Sequence, residues 1–300
     1  MTNFLNHLWR IILSSIALYI VWVFSLSIAE TFVEADLKNA DSPELLSAVL
    51  LFVVCFINSG ILYITVINSR WTGIRLIFVI FSLLFFIQFF LSMIEAIWFN
   101  NSLHMPISGV YYILIVGLIM SVIYAPLIVW IGLKIKPENI HDRKSEKLTF
   151  NIVLLYKILF LIVIVYPMIY NLAGYYIAWQ FEAVRIYYSN SSAIYPFVKM
   201  LWTNVVDGLY TFQIIRGAIW LTLGLTVYKM INGSYIKKGI IIGLLFAFLM
   251  NSQHLIPNPY FPREVALAHF IETASSNFIW GFFIAWFIQW NPGKKKFIPS

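Results

Sequence analysis

The residues best suited to chemistry in this chain are His269 and Glu272. They stand near the start of an apolar run from Val265 to Trp290, with Thr273, Ser275, Ser276 and Asn277 beside them. On a helix, His269, Glu272 and Ser276 follow i, i+3, i+7 spacing and share one face, with Thr273 next to it and Asn277 about a quarter-turn away. A charged group inside a hydrophobic span costs at least about 2.5 kcal/mol, so such residues mark a functional site by default. The chemistry open to this pair is proton exchange or the holding of a polar ligand.

Other polar residues fall at similar depth. Arg216 lies about 12 Å below the outer end of its own span, counted at ~1.5 Å per residue, and Gln213 precedes it by one turn. In another span Gln88, Ser92 and Glu95 follow i, i+4, i+7 and face the outer end. His254 sits at the outer end of a third span, with Asn251 a turn deeper, and Asn58 lies mid-span. Their convergence on one depth predicts a single polar cavity open to the outside, built from Arg216, Glu272, His269, His254, Glu95, Gln88, Asn251, Ser276, Asn277 and Gln213. Arg216 cannot lose its proton and needs a counter-charge. Glu272 is the first expected partner and Glu95 the second. An arginine exceeding its local acids could instead hold a carboxylate or phosphate in its fork, as on an anionic small molecule or lipid.

His269, Glu272, His254 and Glu95 also permit a metal reading, as two histidines with carboxylates. There is no HExxH, and Arg216 disfavours a cation, so the expectation is no metal and no assigned cofactor. The chain contains no GxGxxG or GKS phosphate loop and no GxSxG elbow. Cys55 is the single cysteine, which excludes an intrachain disulfide, and its apolar surroundings read as a buried thiol.

The elements that must position these residues are membrane spans. Of 300 residues, 61% are hydrophobic and 11% charged, against about 25% charged in soluble domains. The chain reads as an all-α polytopic integral membrane protein with eight transmembrane helices: Ile11 to Ala29, Leu45 to Ile67, Ile74 to Phe99, Val110 to Leu133, Ile152 to Trp179, Gly208 to Met230, Gly239 to Leu255 and Val265 to Trp290. The first resembles a secretory signal, but its apolar stretch is longer than a signal's core and reads as a retained helix.

Charge gives the orientation. With the N-terminus inside, the inner segments hold Arg10, Arg70, Arg75, Lys134, Lys136, Arg143, Lys144, Lys147, Lys157, Lys229, Lys237, Lys238 and Lys294 to Lys296, which is 15 basic residues. The outer segments hold 4: Lys38, Arg185, Lys199 and Arg263. This asymmetry predicts a cell-membrane protein with both termini cytoplasmic. The net charge of +7 then reflects inner loops rather than nucleic-acid binding. The first outer loop is acidic, with Glu30, Glu34, Asp36, Asp41 and Glu44, while His7, His104 and His141 fall in or near loops. The outer segment Gln180 to Asp207 is rich in aromatics and reads as lying along the interface, or as a lid.

The halves look related. VIN at Val66 to Asn68 matches MIN at Met230 to Asn232, and Pro106 before span four matches Pro262 before span eight. This predicts two parallel four-helix repeats, residues 1–148 and 149–300, forming one membrane unit. Ile113 and Val116 stand where the second half has His269 and Glu272, so the second half carries most of the site. The function expected is a small-molecule carrier or ligand-binding membrane protein in a lipid bilayer. The alternatives are a membrane-embedded enzyme acting on lipid, and an accessory subunit.

Overall fold

The computed structural model describes residues 2–34, 43–134 and 151–290. Asp36, Lys38 and Asp41 of the first loop, Lys136, His141, Arg143, Lys144 and Lys147 of the basic loop, and the tail Lys294 to Lys296 lie outside them. Among the described residues the regular structure is helical, with two isolated bridges, Ser69 to Ile231 and Asn258 to Phe261.

The helices are α1 (Thr2–Glu30), α2 (Glu44–Asn68), α3 (Gly73–Trp98), α4 (Ile107–Ile131), α5 (Ile152–Gln180), α6 (Glu182–Ser189), α7 (Phe197–Val206), α8 (Leu209–Met230), α9 (Tyr235–Phe248) and α10 (Arg263–Gln289). Five of them, α1 to α5, are long and apolar enough to cross a membrane. α8 and α10 have 22 and 27 residues but carry Arg216, Lys229, Glu264 and Glu272 among their apolar ones. α9 has 14 residues, shorter than its sequence run. It stops at Phe248, where the Asn251 side chain bonds the Ala247 carbonyl at 2.8 Å and so satisfies an acceptor left free at the helix end. The chain then turns through Ser252–Leu255, which puts His254 off the helix.

Two long helices are interrupted. α3 passes through a π-helical stretch at Leu83–Phe90, and α5 through one at Leu161–Val165. Bonds there run i to i+5, so residues on either side no longer keep α-helical register.

The helices of each half pack in matching pairs. α1 packs on α2 and α4, and α3 on α4; α5 packs on α8 and α10, and α9 on α10. The α9–α10 contact is the most extensive among the described residues. Gly239 and Gly243 form a GxxxG step, and a Cβ on Gly281 would stand 2.7 Å from the Gly243 nitrogen. Small residues let helices approach where apolar burial gives no drive against lipid. One apolar core runs through both halves, centred on Trp220, Trp280, Tyr63, Tyr124 and Phe246.

Basic residues collect at one end of the bundle. Arg10 donates to the Ile131 carbonyl at 3.2 Å, the Gly73 amide to Lys134 at 2.7 Å, and the Arg70 amide to Met230 at 3.0 Å. Lys157 donates to the carbonyls of Phe287, Ile288 and Trp290, which cap the end of α10 with a cation where the helix dipole is negative.

Candidate functional site

The opposite end holds a cavity of about 1030 Å³. The last turns of α3 and α5, the first turns of α10, the segment after α9, and helices α6 and α7 form its wall. Glu95, His254, His269, Glu272 and Asn251 are among the residues that line it. Trp22, Trp98, Tyr170, Trp179, Tyr188 and Phe261 give it aromatic sides.

Arg216 pairs with Glu95, its second expected partner, and not with Glu272. The contact is bidentate, Nη1 to Oε1 at 2.8 Å and Nη2 to Oε2 at 2.7 Å. The cause is helix placement. Trp98 of α3 stacks on Phe212 of α8 with ring centroids 4.5 Å apart, and Glu95 and Arg216 are the residues about one turn inward of that stack. Gln213 accepts a third bond from Arg216 Nη1 at 3.1 Å. Arg216 stands behind Glu95 and does not line the cavity. An anion held in the arginine fork loses its basis, because both terminal nitrogens are committed to a carboxylate.

Glu272 pairs with His269 instead, Oε2 to Nδ1 at 3.3 Å. The other imidazole nitrogen meets the Tyr188 hydroxyl at 3.0 Å. Burial raises the Tyr188 hydroxyl well above its ordinary range, so it keeps its proton and is able to donate to Nε2. With Tyr188 donating, the matching tautomer of His269 carries its proton on Nδ1 and donates to Glu272, because each ring nitrogen's role is set by the partner of the other. A chain of phenol, imidazole and carboxylate thus runs from α6 into α10. Among the described residues no other side chain bonds the Glu272 carboxylate, although Glu272 is only 3% exposed. The His254 and His269 rings lie 6.2 Å apart, with Phe261 against both.

The remaining expected residues fall elsewhere. Gln88 lies in the π-helical stretch of α3, which breaks the i, i+4, i+7 register on which its alignment with Ser92 and Glu95 depends. Ser92 and Glu95 line the cavity, whereas Gln88 is wholly buried outside its wall. Gln213, Ser276 and Asn277 are also buried away from the wall, and the Ser276 hydroxyl bonds back to the Thr273 carbonyl at 3.3 Å. Asn58 accepts from Ser252 at 3.0 Å and ties α2 to the segment after α9. Among the described residues no group of three or more His, Cys, Asp or Glu is placed to hold a metal ion.

Segment 180–207 brings residues that the sequence reading does not place in the site. Arg185 on α6 donates to the carbonyls of Ser192, Trp179 and Gln180 at 2.7, 2.7 and 2.9 Å, which fixes α6 over the cavity. The Tyr187 hydroxyl donates to the Tyr260 carbonyl at 2.7 Å. Asn204 of α7 donates to Asn171 of α5 at 2.7 Å, and both line the cavity. Asn171 has a sequence signal, being the only asparagine within the fifth apolar run. Tyr188 has none, since aromatics are common wherever a chain meets the interface.

Comparison with known proteins finds no family model, no curated protein and no solved structure that matches this chain.

Proposed function

We propose that this protein is a multi-pass membrane protein that admits a small molecule from the outer side into the cavity, as a carrier or receptor. The observation that carries this reading is the cavity itself, at the end of the bundle remote from Arg10, Arg70, Lys134 and Lys157, with Glu272, His269, His254 and Glu95 in its wall. Its volume suits a drug-sized ligand, for which pockets run about 300–1,000 Å³. Its few polar groups among aromatic walls are the composition that fixes a ligand's orientation.

In this reading all eight runs cross the membrane, with both termini and the basic residues on the cytoplasmic side. The two halves are parallel repeats. Two observations support that: the matching helix pairs in each half, and the antiparallel contact of Ser69 with Ile231, where the two matched VIN and MIN segments meet.

Thiol labelling tests the reading. Cys55 is the only cysteine and is replaced by serine. Thr273→Cys places a thiol in the cavity wall, and Ile271→Cys places one on the face of the same helix that is 51% exposed to its surroundings, expected to be lipid. A charged, membrane-impermeant maleimide added to intact cells should label residue 273 and spare 271. Equal protection of both would remove the outward-facing cavity.

A further inference from the structure

The charges around the cavity do not balance, and the imbalance is acidic. Its wall holds the carboxylates of Glu95, Asp207 and Glu272 against the single ammonium of Lys199. Glu95 is neutralised from behind by the Arg216 fork. Asp207 and Lys199 both come from the outer segment at the mouth, where Lys199 lies 4.2 Å over the Tyr195 ring. Glu272, the buried one of the other two, has no Arg or Lys partner among the described residues. Its one side-chain hydrogen-bond partner among the described residues is His269, at 3.3 Å. A buried carboxylate without a counter-charge takes up either a proton or a cation.

The surroundings favour a particular cation. Tyr170, Tyr188, Trp98, Trp179 and Phe261 share the wall with Glu272. Aromatic faces attract ammonium groups, most strongly where water is excluded, and cages of this composition recognise quaternary ammonium ligands. A cavity of about 1030 Å³ is far larger than a bare inorganic ion requires. The geometry points to an organic ammonium compound as the ligand of this cavity, with its cationic head at Glu272 and its body against the aromatic walls. This rests on the proposed reading of the cavity as an outward-facing binding site.

The test uses full-length protein in lipid nanodiscs and benzyltrimethylammonium as probe. Its neutral isostere neopentylbenzene and the anion benzenesulfonate are the comparisons. Binding is read by the change in tryptophan emission, since Trp22, Trp98 and Trp179 line the cavity. The cation should bind saturably, at least about tenfold tighter than either comparison. Glu272→Gln should remove most of that preference, and Tyr170→Leu should weaken binding severalfold while leaving the charge in place. Ile271→Ala, on the outward face, should change nothing. Tighter binding of benzenesulfonate, equal binding of the isostere, or a cation preference unaltered in both cavity variants would overturn the assignment. Absence of binding by all three probes, with residue 273 still labelled from outside, would overturn the ammonium class and leave the cavity reading standing. Failure of that labelling would remove the cavity reading itself.

Discussion

Arg216 on α8 and Glu95 on α3 meet fork to fork, and this contact is a charged tie between the two halves of the chain. Both guanidinium nitrogens at the tip are used, so the pair acts as a fixed strut rather than as a ligand site. Its worth lies in what is left when one partner goes. An uncompensated buried charge costs about 3–5 kcal/mol. The Glu95 side chain is 23% exposed, which places this pair toward the low end of that range.

The first prediction follows. Arg216→Met and Glu95→Gln should each lower stability by about 3 kcal/mol, and the double replacement should cost much less than their sum, as expected for residues in direct contact. Arg216→Met combined with Glu272→Gln should come close to additive, since Glu272 bonds His269 instead. Unfolding midpoints in detergent would measure this. Additivity for the 95/216 pair would mean that the contact carries no energy.

The second prediction concerns the chain from Tyr188 through His269 to Glu272. With Tyr188 donating, imidazole nitrogen shifts in ¹⁵N-histidine-labelled protein should report the proton of His269 on Nδ1. Tyr188→Phe removes the donor at a cost of about 1 kcal/mol and frees Nε2 to carry the proton. The tautomer signal should then become mixed while the fold is kept. An unchanged signal in the phenylalanine variant would show that the phenol does not set the imidazole.

The difference between sequence and structure at this site has a physical form. Depth along a helix is legible from counting, so Glu95, His254, His269 and Glu272 could be placed at one level before any contact was known. Azimuth was not legible where the helix changes its winding. The π-helical stretch at Leu83–Phe90 broke the register of Gln88 with Glu95, and no residue type there announces it. The partner of Arg216 depended on the stacking of Trp98 on Phe212, a contact between distant helices. The short helices of segment 180–207 are expected from sequence as interfacial chain or as a lid. Their anchoring by Arg185 through three carbonyls leaves no pattern in spacing.

The third prediction concerns helix approach. A Cβ on Gly281 would lie 2.7 Å from the Gly243 nitrogen and 2.8 Å from its Cα, and backbone cannot step aside as a side chain can. Gly281→Ala should push α9 and α10 apart and cost at least about 1–3 kcal/mol, the range for overpacking. Gly174 has nothing within 4 Å of its Cβ position. Gly174→Ala should therefore be neutral or stabilise by about 0.5–1 kcal/mol, because alanine loses less backbone freedom in a helix. Comparable midpoints for the two variants would mean that the α9–α10 contact is not as close as the geometry states.

The last prediction concerns which end faces out. Arg10, Arg70, Lys134 and Lys157 meet at one end through bonds to helix termini, and α6 with the cavity lies at the other. If charge sets orientation, the basic end stays in the cytoplasm. Ser191, next to α6, is partly exposed, Ser234, just before α9, is exposed, and the two stand at opposite ends. In the Cys55→Ser background, Ser191→Cys should react with an impermeant maleimide on intact cells. Ser234→Cys should react only after the membrane is opened. The same test applies at Ser145, which lies outside the described residues but within the basic loop. It should behave as Ser234 does. Labelling of Ser234→Cys or Ser145→Cys from outside would reverse the orientation. The Glu272 cavity would then face the cytoplasm, and its ligand would have to be one available there.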